Sequence, residues 1–519
     1  MSLSTSTESM DEPLAANYRK SSSLQPLERL NVDGFLKMVG EFGTYQILLD
    51  GVFCLMMLPF TFHVLIMFFA AQEPEWRCVK NSTHCNLNGS FTSANELRCH
   101  VPRSEWEYTE PESFSIVTEF DIHCDTDWMI YMTTSILFIG WLFGAIVLGW
   151  MSDKYGRKKV LFTSTFMMLL CSLVAPFVNN IYAFIVMRFL VGFFIPGGAI
   201  IMFILISEIV GSSRRALAGI ILWFFFTFSL CLLGLTAYFI REWKTLFLVC
   251  TAPYFVLLLF YYFVPESVRW LRLQGRLDEA LEIFETVAKW NGRKLNPNAS
   301  LSPVVGEQDE HRSSSPRALF KTRRMAIKTA LQGFVWMVNG MVYYGISLAS
   351  DDLGGSLYVN YVLVSVVELP AALVAIDFCE RFGRRLTTSV SLLSAGILTL
   401  VVSFVSANEA RVALGIIGKL MITISFDCLY TWSVELYPTN IRSEAMGFLQ
   451  ITSRVGAASA PWIAKAVRAV HSTMPFIIMG VLGLLAGVAC LFLPETKGHE
   501  TQETENDITE EVFFMKEMK

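Results

Sequence analysis

Charge is scarce in this sequence. Only 17% of its 519 residues are Asp, Glu, Lys or Arg, against 53% that are hydrophobic. A water-soluble chain of this length needs a far more charged surface, so an ordinary soluble enzyme or binding module is excluded. There is no sustained basic domain to hold nucleic acid, and the net charge is −5. The chain also lacks a glycine-rich nucleotide cradle, a metal-ligand spacing and a nucleophile–base pair. No enzyme activity, cofactor or metal is therefore expected. The first 45 residues lack the apolar run of a cleavable signal peptide, so the first long apolar segment is expected to act as the insertion signal.

What is abundant is apolar sequence in blocks. Segments 47–71, 129–150 and 245–264 are nearly free of charge, and each has about the 20 residues a helix needs to cross the hydrocarbon core. Twelve spans are predicted, at about 46–71, 129–151, 160–178, 181–206, 216–240, 245–264, 327–349, 357–378, 386–406, 411–433, 444–469 and 474–493. Lys154, Arg157, Lys158 and Lys159, then Arg214 and Arg215, then Arg381, Arg384 and Arg385, then Arg442 fall in alternate short loops. By the positive-inside rule these loops and both termini are expected in the cytosol, and the 72–127 loop outside.

Four of the 11 cysteines, Cys78, Cys85, Cys99 and Cys124, share that outer loop. They point to two disulfides in an oxidising compartment, with three pairings possible. Glycosylation sequons at Asn81 and Asn88 lie in the same loop and agree with outward exposure. The remaining cysteines sit in or beside apolar spans and read as small hydrophobes.

The expected organisation is a cytosolic tail (1–45), a six-span half (46–264), a cytosolic linker (265–326), a second half (327–493) and a cytosolic tail (494–519). Leu277, Leu281, Phe284 and Ala288 share one face of a short amphipathic helix in the linker. Residues 317–328 carry five positive charges and no negative ones, and suit anionic head groups.

The two halves repeat. Asp153-Lys-Tyr-Gly-Arg-Lys after span 2 matches Glu380-Arg-Phe-Gly-Arg-Arg after span 8, an offset of 227 (380 − 153). Glu208 and Arg215 match Glu435 and Arg442 at the same offset, and Pro265-Glu266 matches Pro494-Glu495. A parallel duplication of six helices predicts an all-α membrane protein of major facilitator fold, with 12 transmembrane helices in two pseudo-symmetric six-helix bundles and a site between them. Asp153, Glu208, Glu266, Glu380, Glu435 and Glu495 are expected to pair with Arg157, Arg215, Arg384 and Arg442 across the cytosolic mouth, closing an inner gate when the cavity faces outward and parting in the inward state. Gly156 and Gly383 would allow the tight turns there. The bland alternative is local anchoring of loops.

Ser115-Ile-Val-Thr-Glu-Phe-Asp-Ile-His-Cys124, Pro265-Glu-Ser-Val-Arg-Trp-Leu271 and Glu435-Leu-Tyr-Pro-Thr439 give the chain a further likeness. From about 35 to 497 it resembles the organic ion transporters, solute carrier family 22. Met341-Val-Tyr-Tyr-Gly-Ile-Ser-Leu and Arg188-Phe-Leu-Val-Gly192 look most like the member 15 branch, whereas Glu368-Leu-Pro-Ala-Ala372 is similar to the cation carriers. The resemblance implies plasma-membrane transport of zwitterions or organic cations, carnitine- or ergothioneine-like, with an organic anion exchanger as the alternative. A non-transporting receptor or scaffold of the same fold is the reading from another class, and the intact motifs in both halves weigh against it.

A charge inside a span costs about 2.5–3.5 kcal/mol on insertion scales, so each asks for a reason. Arg454 lies in span 11, where the resemblance implies arginine in carriers of anions and zwitterions; it is suited to gripping a carboxylate or to an ion pair with Asp427. Asp427 in span 10 and Glu368 in span 8 are candidates to face an ammonium. Trp223, Trp336, Tyr343, Tyr344, Tyr361 and Tyr430 are candidate aromatic faces of the site, though for any one of them taken singly ordinary helix packing is the better reading. His63 in span 1 reads as a packed, hydrogen-bonded histidine, with proton coupling as the alternative. The expected partners are a small organic ion and the bilayer, with the monomer as the working unit.

Overall fold

The computed structural model describes residues 28–79, 85, 98–295, 299–301, 319–348, 356–405, 407–438, 441–466 and 473–498. Asn81 and Asn88 lie outside the described residues. A short amphipathic helix, α1 (Val32–Val39), precedes six stretches that fill the first half. These are α2 (Thr44–Leu65, continued by Met67–Ala70), α3 (Trp128–Tyr155), α4 (Arg157–Val174), α5 (Ile181–Ile209), α6 (Arg215–Phe239) and α7 (Trp243–Val249, continued by a 3-10 run, Ala252–Tyr262). The linker forms α8 (Val268–Leu273) and α9 (Leu277–Trp290). The second half comprises α10 (Arg323–Leu348), α11 (Leu357–Val366), α12 (Glu368–Phe382), α13 (Arg384–Val402), α14 (Asn408–Leu436), α15 (Arg442–Pro461) and α16 (Met474–Leu491).

Each predicted span coincides with helix. Among the described residues ten stretches are long and apolar enough to cross a membrane by length and composition. The other two, α10 and α15, are as long but more polar, and polar side chains of α10 find partners inside the bundle. Gln332 Nε2 and Trp336 Nε1 both donate to Ser433 Oγ, at 2.7 and 2.9 Å, and Asn339 Nδ2 donates to Ser425 Oγ at 2.8 Å. Such hydrogen bonds hold membrane helices together where hydrophobicity alone gives no preference for helix over lipid. Packing is close in both halves. A Cβ on Gly144 would lie 1.9 Å from the Phe193 carbonyl oxygen, and one on Gly456 at 1.9 Å from that of Met337.

Span 8 is a run of helix, Leu357–Phe382, interrupted at a single residue. The α-pattern breaks at Val367, between α11 and α12. Pro370 has no amide hydrogen to return to the carbonyl of residue 366, which accounts for the break.

The outer loop is a small cap with its own core. β2 (Trp76–Cys78) pairs antiparallel with β3 (Trp106–Tyr108), and the Trp76 and Trp106 rings meet edge-on at 6.0 Å. Of the three possible pairings the structure has Cys78–Cys85 and Cys99–Cys124. At the opposite end β1 (Glu28–Leu30) lies parallel to β4 (Ala299–Leu301), tying the chain ahead of α1 to the linker. Cys54, Cys171, Cys231, Cys250 and Cys490 are free, in line with the reading as small hydrophobes. Cys379 and Cys428 depart from it, because α12 and α14 bring them together as a third disulfide.

The halves touch at the end that carries the cap. Phe68 stacks on Tyr361 at 5.1 Å, Phe69 on Tyr358 at 5.5 Å, and Tyr131 meets Trp462 at 5.7 Å. Ser135 Oγ donates to the Ala458 carbonyl at 2.6 Å. At the basic end, among the described residues, no ion pair links the halves. The ring contacts between these segments of the two halves thus lie toward the cap.

Candidate functional site

The basic end repeats atom for atom. Gly156 and Gly383 stand before α4 and α13 at φ 103° and 90°. Neither glycine has a side chain to cap the helix it precedes, so the first amides need an acceptor from elsewhere. Glu266 Oε1 accepts from the amides of Arg157 and Lys158 at 2.8 and 3.0 Å, while Glu495 accepts from those of Arg384 and Arg385 at 2.9 and 3.0 Å. A Cβ on either glycine would meet that glutamate, at 2.4 Å for Gly156 and 2.6 Å for Gly383. Arg157 donates to the Ser152 carbonyl, and Arg384 to that of Cys379. Arg215 bonds the Val210 carbonyl as Arg442 bonds that of Tyr437.

Among the described residues the ion pairs at this end do not cross the mouth. Arg157 pairs with Asp153 at 3.1 Å and Glu208 at 3.7 Å, and Arg384 with Glu435 at 2.8 Å, each within its own half. Glu266 and Glu495 bind backbone amides rather than arginine side chains, because each lies against a helix start. Glu380 is exposed. Arg215 pairs with Asp33 of α1 at 2.5 Å, and Arg269 of α8 reaches the same oxygen at 2.8 Å. Burial pushes the Asp33 carboxyl up, but Arg269 and Arg215 outweigh it and hold it below the usual carboxylate range.

In the interior, Glu368 is already taken. It accepts from Tyr343 Oη at 2.5 Å and Thr227 Oγ1 at 3.4 Å, and pairs with Lys419 Nζ at 3.1 Å. The lysine is 1% exposed. Its ammonium also bonds Ser347 Oγ and lies over the Tyr343 ring, 3.1 Å from the centroid. A buried cation this well matched cancels the Glu368 charge.

Arg454 and Asp427 stand differently. Arg454 is half-buried, donates to Tyr344 Oη at 3.2 Å and lies over the Trp141 ring at 4.1 Å. Among the described residues it has no carboxylate partner, so the ion pair with Asp427 considered from sequence does not form. Asp427 Oδ2 is shut off from solvent and accepts no hydrogen bond. Both charges lie within electrostatic reach of Tyr430, which stacks edge-on with Trp336 at 4.7 Å and meets Trp223 of the other half at 6.4 Å. Phe426, Tyr343 and Tyr344 extend this wall, and Phe138 joins it from the first half at 4.7 Å from Tyr344. Tyr361 is the exception among the predicted aromatics. It sits in the seal near the cap, against Phe68 and Phe69.

His63 is fully buried, with Nε2 at 3.1 Å from Thr251 Oγ1 and its carbonyl accepting from Arg188. Sequence reasoning missed Lys419, Trp141, Arg188 and Asp50, whose two carboxylate oxygens are buried without a partner. The scarcity of charge inside spans singles out Lys419, Arg188 and Asp50 as it did Arg454. Trp141 has no such signal.

A doubled six-helix bundle with polar groups converging between its halves is a membrane transporter of the major facilitator type, not an enzyme. The family described as "Sugar (and other) transporter" matches residues 84–508. Solute carrier family 22 member 3 of Rattus norvegicus is 32% identical over 526 residues, covering 92% of this chain and 95% of that protein. Organic cation/carnitine transporter 2 of Rattus norvegicus is 31% identical over 521 residues, covering 91% and 93%. Solute carrier family 22 member 15 of Xenopus tropicalis is 31% identical over 490 residues, covering 92% and 91%. The chain belongs to solute carrier family 22, and its likeness to member 15 is one of several of equal strength. The inward-open xylose transporter XylE from E. coli shares the fold, with a TM-score of 0.63 at 16% identity over 89% of this chain and 99% of that one.

Proposed function

We propose that this protein moves a small organic cation or zwitterion across the plasma membrane by alternating access, with both termini in the cytosol and the structure facing inward. The observation that carries the reading is the pair of uncompensated charges, Arg454 and Asp427, beside one aromatic wall. Glu368 and Lys419 neutralise each other, so at this aromatic wall the substrate meets Arg454 as the cation and Asp427 as the anion. A ligand with both charges matches them: its ammonium faces Asp427 and the rings of Trp336, Tyr430 and Trp223, and its carboxylate faces the Arg454 guanidinium. A pure cation uses the first part of the site alone. The relatives named for organic cations and carnitine support both readings.

Alternating access then requires the basic end to close. The arginine networks around Arg157 and Arg384 are positioned to form the rim that meets on closure. The test is uptake by cells expressing the protein, comparing carnitine or ergothioneine, a tetraalkylammonium and a dicarboxylate. Zwitterion uptake that is lost in Arg454→Ala while tetraalkylammonium uptake persists supports the two-charge site. Uptake of the dicarboxylate alone would replace it with an anion exchanger.

A further inference from the structure

At the basic end a cavity of about 630 Å³ opens where four segments meet: the end of α1, the turn into α2, the turn between α5 and α6, and the end of α9. Lys37, Arg214 and Arg293 line it, with Glu41 as its one carboxylate. Glu41 is engaged by the Ser213 hydroxyl. Among the described residues none of the three cations is paired with a carboxylate, and the side-chain bond described for Arg293 is to the Met38 carbonyl at 3.4 Å. Three unpaired cations around one concave space repel one another unless an anion joins them.

The turn that floors the cavity is built for close approach. Gly40 has φ 101°. A Cβ on Gly43 would fall 2.4 Å from Asn291, whose Oδ1 accepts from the Tyr45 amide at 3.0 Å and so fastens α9 to the first turn of α2. The cavity also sits at a definite depth. Ile47 and Leu48, one turn into α2, are 54% and 44% exposed, as a lipid-facing surface would be. Thr44 on the rim is thus about one helical turn from the start of hydrocarbon, the level of phospholipid phosphates.

We propose that this cavity binds a phosphate-bearing anion, either the head group of an anionic phospholipid such as a phosphoinositide or a free phosphorylated molecule of similar size. Bound there, it bridges α1, α9 and the α5–α6 turn, beside the Asp33 contacts to Arg215 and Arg269 that already hold these parts together.

The test uses the full-length protein in nanodiscs. One arm compares phosphatidylcholine discs with discs that also contain phosphatidylinositol 4,5-bisphosphate; the other adds soluble inositol trisphosphate or inorganic phosphate to phosphatidylcholine discs. Binding is read as a rise in Tm and as bound ligand by native mass spectrometry. K37A/R214A/R293A is expected to weaken binding by on the order of a hundredfold, from about fivefold per cation. Glu41→Gln, which removes the one opposing charge, is expected to tighten it, and gives an answer even if the triple variant folds poorly. K154A/K159A, which removes two exposed cations of the same face, is expected to leave binding unchanged. Protection in the lipid arm alone assigns the site to the membrane, and protection by the soluble ligands assigns it to the aqueous phase. No protection in either arm, equal loss in K154A/K159A, or unchanged binding in Glu41→Gln overturns the proposal.

Discussion

The two halves of this transporter are nearly identical at their basic ends and unlike in their interiors. Gly156, Arg157 and Glu266 reproduce Gly383, Arg384 and Glu495 down to the amide each glutamate caps. Deeper in the spans the likeness stops. The second half holds Glu368, Lys419, Asp427 and Arg454, while the first holds Arg188, whose described bonds are to backbone carbonyls, and His63 beside Thr251. Mechanical parts are shared between the halves, and the charges proposed to select the substrate are concentrated in one of them.

The sharpest way to break this contrast is Lys419→Ala, which strands Glu368 in the interior. It is expected to lower stability by about 3–5 kcal/mol, as loss of one partner of a buried pair does. Adding Glu368→Gln should recover much of it, read as Tm of the purified protein. A Tm unchanged by Lys419→Ala would mean that the pair does not form. Next in size is Asp427→Asn. It is expected to reduce cation uptake at least tenfold, on the scale of about 2 kcal/mol or more for a desolvated charge contact, with surface abundance unchanged. Persistence of uptake would move the ammonium site elsewhere.

The shared ends can be tested as equals. Gly156→Ala and Gly383→Ala each force a side chain into a left-handed turn against a glutamate, and each is expected to cost about 1–3 kcal/mol. A large difference between them would show that the halves are not mechanically equivalent. The smallest effect concerns Asp33, a partner that the first half has at Arg215. Its carboxyl is held below the usual range in the folded protein, so its contribution is present above the unfolded pKa and is lost as pH falls through the folded one. Protease cleavage around α1 should rise below the ordinary carboxylate range in the parent protein and be insensitive to acid there in Asp33→Asn.

The architecture was legible because duplication leaves a fixed offset and spans leave long apolar runs. Even α10 and α15, too polar to pass as spans on composition, were among the twelve segments read from the sequence. Pairing inside the membrane was far less legible. Nothing in the spacing shows that Glu368 meets a lysine on α14, or that Arg454 meets Trp141 rather than Asp427, because those contacts depend on how each helix is rotated about its axis. Tyr361 was misplaced for a related reason: the break at Val367 separates α11, which serves the seal, from α12, which begins at Glu368. Which rim each gate charge lies on was not legible either, because sequence identifies opposite charges near one mouth without placing them.

The seal near the cap has a thermodynamic consequence. Its ring contacts, Phe68 on Tyr361, Phe69 on Tyr358 and Tyr131 on Trp462, are apolar, whereas the basic end is held by charge. Separating apolar rings into water changes heat capacity and is little affected by ions, while bringing two cationic rims together is screened by salt. The equilibrium between the two faces of the carrier therefore responds to temperature through one end and to ionic strength through the other.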